Sequence, residues 1–149
     1  MYDHILLSTD GTNASEEAES HAIELAATHD AVLHVLYVVD EDLVTSYSGD
    51  EYVDEAEGLE HGLEELGRAT IDDVRTRAGE QGVEVVEALQ HGQPTERIIT
   101  YADENNIDLL VLGTKRRPAE YRALLGSVTE RVLRLTDRPA TVIKTEVNT

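Results

Sequence analysis

Apolar positions alternate between two kinds of run along the chain. Short runs are apolar almost throughout, as in Ile5-Leu6-Leu7, residues 31–39 (AVLHVLYVV), Leu109-Leu110-Val111-Leu112 and Ala140 to Ile143. Such runs read as strands buried on both faces. Between them lie longer segments whose apolar residues recur every three or four places, the period of a helix with one covered face. The first strand covers residues 2–8, and a helix follows with Thr12 or Asn13 as N-cap and Glu16 at capping-box spacing from Asn13. Its inner face is Ala18, Ala22, Leu25 and Ala26, with acids opposite. A long helix is predicted over roughly 55–80, with a stripe of Leu59, Leu63, Leu66, Val74 and Ala78. Val83 to Leu89 makes a third strand, Gly92 and Pro94 a turn, and Ile98, Ile99 and Ala102 the covered face of a helix ending at Asn105-Asn106. Residues 40–58 are acidic and irregular and read as surface loop.

The fourth strand runs from Asp108 to Leu112 and is predicted to end at Gly113. A basic loop with Lys115, Arg116, Arg117 and Arg122 follows, and a helix begins at Gly126-Ser127. Ser127 and Glu130 have capping-box spacing, and Val128, Val132, Leu133 and Leu135 form the apolar face. The helix stops near Asp137-Arg138-Pro139, and Ala140 to Ile143 is the last strand. Strands alternating with helices, without internal repeat or linker, imply a single domain over 1–149: an α/β fold with a mostly parallel, doubly wound sheet.

In such sheets ligands bind beyond the carboxyl ends of the strands, where the strand order reverses. Asp10 follows strand one and Gly113 follows strand four, so both face one crevice if those strands are neighbours. A glycine closing a strand and a second glycine opening a helix let backbone approach an anion closely, and the helix start adds bare N–H groups and partial positive charge. Residues 126–129 are therefore a candidate anion site. The bland alternatives stand beside this one. Asp10 also suits a helix start electrostatically, Ser127 also serves as a plain N-cap, and Val38 fits a core position.

Charge changes the picture more than composition does. The chain has 149 residues, with 31 acidic against 12 basic side chains and a formal net charge of −19. A surface of that sign repels nucleic acid and anionic lipid, so neither is an expected partner. Acid excess without loss of periodicity reads as halophilic adaptation, in which salt screens the self-repulsion. No apolar run is long enough to span a membrane, and MYDHILLSTD lacks a basic signal flank, so the expected location is the cytoplasm. There are no cysteines, and the histidines at 4, 21, 29, 34, 61 and 91 show no HExxH or comparable pairing, so no metal site is expected. Thr9-Asp10-Gly11-Thr12 is similar to the end of the phosphatase motif DxDGT, but Ser8 stands where the nucleophilic carboxylate belongs. No GxxxxGK[ST] is present, and no general base is evident, so no catalytic residue is assigned.

Taken together these residues resemble the nucleotide-binding branch of the universal stress protein family. That branch carries glycine, two residues, glycine, nine residues, then glycine with serine or threonine. Gly113 takes the first place and Gly126-Ser127 the last at the right distance, while Arg116 stands at the middle glycine. Strand one leading into Ser8-Thr9-Asp10, strand two ending in Tyr37-Val38-Val39-Asp40, and the Gly92-x-Pro94 turn also fit. The resemblance implies a five-stranded parallel sheet of order 3-2-1-4-5, Rossmann-like and similar to the adenine nucleotide alpha hydrolases. It implies an adenine nucleotide such as ATP, with Mg²⁺, in a stress sensor or regulator capable of slow hydrolysis at most. In that reading Asp10 and Thr9 meet ribose or adenine, Val38 meets adenine, and Gly113 lines the ribose and first phosphate. Gly126, Ser127, Val128 and, less directly, Thr129 hold the phosphates. Arg116 either clamps a phosphate with Lys115 and Arg117 or fills the groove and leaves a nucleotide-free interaction protein. The resemblance also implies a homodimer through the last strand, Ala140 to Lys144, an apolar edge suited to pairing.

Overall fold

The computed structural model describes residues 2–9, 13–41, 53–116 and 127–146. They form β1 (His4–Ser8), α1 (Asn13–His29), β2 (Val32–Asp40), α2 (Val53–Glu80), β3 (Val85–Gly92), α3 (Pro94–Glu104), β4 (Leu109–Arg116), α4 (Ser127–Leu135) and β5 (Ala140–Glu146). The five strands make one sheet in the order β3-β2-β1-β4-β5, and every neighbouring pair is parallel. The order reverses between β1 and β4, where Ile5 is paired with Leu109 and Ser8 with Leu112.

Side chains alternate across this sheet and so build two cores. On one face Ile5, Leu7, Leu33, Val35 and Val111 pack under α1 and α2, meeting Ala18, Ala22, Ala26, Val74 and Ala78. On the other, Leu6, Leu36, Leu110 and Leu112 meet Ile98, Tyr101 and Ala102 of α3 and Val132 of α4. Asp108 ties β4 to the start of β1, its carboxylate accepting from the backbone N–H groups of Asp3 at 2.8 Å and His4 at 2.9 Å. Those two bonds hold its pKa below the ordinary carboxylate value. Pro94 occupies the first turn of α3 as expected, and the Gln93 side chain, not foreseen as a cap, accepts from the Glu96 N–H at 2.8 Å.

Several predicted boundaries and faces are corrected. β4 does not end at Gly113 but continues to Arg116, because Gly113, Thr114, Lys115 and Arg116 pair in turn with Ile143, Lys144, Thr145 and Glu146 of β5. The last strand is longer for the same reason. β3 begins two residues later than predicted and keeps the polar pair Gln90 and His91, since β2 offers partners as far as Asp40. Leu66, assigned to the covered stripe, is 43% exposed; Gly67 and Ile71 take the covered places. Leu135 is likewise 64% exposed, and Thr129 is buried on α4 instead. Acids do not all lie on the outer face of α1, because Glu19 is buried. Residues 42–52 lie outside the described residues.

Candidate functional site

At the reversal of strand order the C-terminal ends of β1, β2 and β4 splay around a cavity of about 480 Å³, a volume within the usual range for small-molecule sites. Ser8, the last residue of β1, and Thr9 just after it lie on its floor, beside Leu112 and Gly113 of β4. Val38 and Tyr37 of β2 form one side, with Asp40 at its edge. Val128 and Thr129 stand opposite, so the first turn of α4, the end of a helix that carries partial positive charge, opens onto the same space. Leu63 and Leu66 reach in from α2, and Pro94 and Ile98 from α3. The walls are thus mostly apolar, with a polar floor and a helix start at one end. Apolar walls suit a flat apolar body, and a helix start favours negative charge beside it.

The site residues expected from the sequence divide into three groups. Thr9, Val38, Gly113, Val128 and Thr129 all line the cavity. Arg116 and Ser127 are placed by their backbones, at the end of β4 and the start of α4, and their side chains lie outside the described residues. Asp10 and Gly126 lie outside the described residues altogether, as do Arg117 and Arg122.

Two hydroxyls at the cavity have bonds directed into the protein. Thr9 donates its Oγ1 proton to Glu19 at 2.6 Å, and its N–H donates to the Leu36 carbonyl at 3.1 Å. Glu19 also accepts from Arg77 of α2 at 2.5 Å. Burial raises the Glu19 pKa even though both bonds work to lower it. Thr129 lies across the cavity with its Oγ1 3.2 Å from the Gly113 carbonyl, to which it donates. That bond braces the start of α4 against β4. Both threonines therefore hold the shape of the site as well as its lining.

The sequence reading missed the contribution of α2 and α3. Leu63 and Leu66 read as core, and Ile98 does pack in the second core, yet all three border the cavity. Periodicity identifies a covered face without saying whether protein or ligand covers it. The exposure of Leu66 is the signal that separates the two, and it exists only in three dimensions.

Comparison with known proteins agrees with this architecture. The universal stress protein MJ0531 of Methanocaldococcus jannaschii is 35% identical over 144 residues, covering 97% of this chain and 83% of its own. The crystal structure of a universal stress protein family member from Burkholderia pseudomallei superposes with a TM-score of 0.78 at 30% identity, over 95% of this chain and 96% of that one. The fold is shared too with the universal stress protein from Archaeoglobus fulgidus solved in complex with dAMP, at a TM-score of 0.63 and 20% identity, over 96% of this chain and 98% of that one. The family model for the universal stress protein family matches residues 1–144, and with the relatives and the sheet order it leads to one conclusion: this chain belongs to the universal stress protein family.

Proposed function

We propose that the protein binds an adenine nucleotide in the cavity at the strand switch and acts as a stress sensor or regulator. The observation that carries the reading is the meeting of Val38, Gly113, Val128 and Thr129 around one cavity, although they come from three elements distant in sequence. The base would lie between Val38 and the leucines of α2, and the phosphates at the start of α4, where bare N–H groups favour negative charge. Gly126 and Ser127 would complete that end, with Asp10 on the ribose and Mg²⁺ accompanying the phosphates. The dAMP complex of the Archaeoglobus fulgidus protein supports the ligand class. Binding without hydrolysis suffices for such a role.

A thermal-shift scan with ATP, ADP and AMP in molar KCl tests the reading. Stabilisation by at least one nucleotide, lost in Gly126→Asp, is the expected result. Absence of any shift would transfer weight to the second reading, a nucleotide-free interaction protein working through its dimer. One observation favours that second reading: arginine, not glycine, stands at position 116, where β4 ends.

Under either reading we propose a homodimer through β5, whose residues Ala140 to Ile143 are partly exposed and which is an edge strand among the described residues. Light scattering coupled to size exclusion in high salt should give a dimer for the natural protein and a monomer for Val142→Lys. A monomer from the natural protein would remove the claim.

A further inference from the structure

Glu60 and Glu64 stand one turn apart on α2 and project from the same side of the helix. His91 meets them from β3, two residues beyond Leu89 and therefore on the same sheet face. Its Nε2 lies 2.7 Å from a Glu64 carboxylate oxygen and 3.6 Å from one of Glu60. The three donor atoms all fall within 4.8 Å of one another, and all three residues are partly buried. His91 makes a hydrogen bond to Glu64 alone, Glu60 standing just beyond that distance, while the second oxygen of Glu64 lies 3.7 Å from Arg68.

We infer that Glu60, Glu64 and His91 bind a divalent transition-metal ion of the zinc class. Bond lengths of about 2.0–2.2 Å to oxygen and nitrogen set neighbouring ligand atoms of a tetrahedral ion about 3.4 Å apart. The Glu60–His91 pair already stands close to that spacing, at 3.6 Å. The Glu64–His91 pair, at 2.7 Å, needs only a small opening of two side chains. An imidazole beside two carboxylates suits zinc, cobalt or manganese over magnesium and calcium, which prefer oxygen alone. Three protein ligands leave a fourth position for water.

The consequence reaches the cavity. Leu63 lies between the two glutamates on α2 and, with Leu66, forms its wall. A metal ion joining α2 to β3 holds that wall in place. The site is independent of the nucleotide reading, since its ligands do not line the cavity, and either can fail without the other.

The test is titration of the full chain with zinc alone in chelator-free, phosphate-free, high-salt buffer, followed by calorimetry and thermal unfolding. A single saturable site, a rise in Tm and no equivalent rise with magnesium are expected. Affinity should fall by about tenfold or more in both Glu60→Gln, which preserves shape, and His91→Gln. It should be unchanged in His61→Gln, which alters an exposed neighbouring pair with Glu65. Cobalt substitution should give visible absorption of a four- or five-coordinate ion, absent in His91→Gln. Zinc binding of equal strength in all these variants would assign the ion to other surface carboxylates and overturn the inference. No saturable response would overturn it too, leaving only the direct contact between His91 and Glu64.

Discussion

His34 is 5% exposed, on the α3 side of the sheet, and both of its ring nitrogens are engaged. One lies 3.1 Å from His4 Nδ1 and the other 2.7 Å from the Tyr101 hydroxyl. Burial first, and then the neighbouring His4, lower its pKa from 6.5 to about 4. Unfolding restores the ordinary value, so the unfolded chain takes up a proton in that window and the folded chain does not. Stability that is full above pH 6.5 is therefore lost as pH falls towards about 4. At about 1.4 kcal/mol per decade of proton affinity, the loss is on the order of 3 kcal/mol. Urea unfolding from neutral to mildly acid pH should show this slope in the natural protein and a shallower one in His34→Gln; identical slopes would contradict it. A second residue-scale prediction concerns Glu19, buried on α1 between Thr9 and Arg77. Arg77→Met strands that carboxylate and should cost about 3 kcal/mol, while adding Glu19→Gln should recover part of the loss. Neither network is visible in the sequence, since His34 and Tyr101 stand 67 positions apart and Glu19 and Arg77 stand 58 apart.

At the scale of elements, α2 shows how much a glycine can decide. A Cβ on Gly67 would stand 2.6 Å from a ring carbon of Tyr37 and 2.9 Å from Leu89, both packed in the core under this helix. The helix approaches the sheet at that point because Gly67 has no side chain. Gly62, one and a half turns earlier, has nothing within 4 Å of the same position. Gly67→Ala should therefore destabilise by about 1–3 kcal/mol through overpacking, despite alanine's better helix propensity. Gly62→Ala should stabilise by about 0.5–1 kcal/mol. Thermal unfolding of the two variants side by side measures the difference in sign. The hydrophobic pattern misassigned Leu66 for the same reason: it counts apolar letters, and a glycine facing the core is not one. β4 was cut short at Gly113 because glycine reads as a strand end, whereas the ladder to β5 carries the strand three residues further.

For the whole molecule, the formal charge of −19 sets the dominant condition. Like charges confined to a folded surface repel more than on an expanded chain, and salt screens them over about 10 Å at 0.1 M and about 3 Å at 1 M. Tm should rise steadily between about 0.1 M and about 2 M KCl; a Tm independent of salt would remove the halophilic reading. Element order, the parallel sheet and the order 3-2-1-4-5 were all legible in advance, the last through the family resemblance, because buried strands and one-faced helices write their periods into local sequence. That the start of α4 meets the ends of β1 and β4 was legible too, since Val128 and Thr129 are consecutive residues at one helix start. Three things required the folded chain: the leucines of α2 at the cavity, the buried bonds of Thr9 and His34, and the convergence of Glu60 and Glu64 on His91. Each joins side chains from separate elements, and their distances follow from how closely helix and sheet pack. Local periodicity carries no record of that distance, so tertiary structure alone decided it.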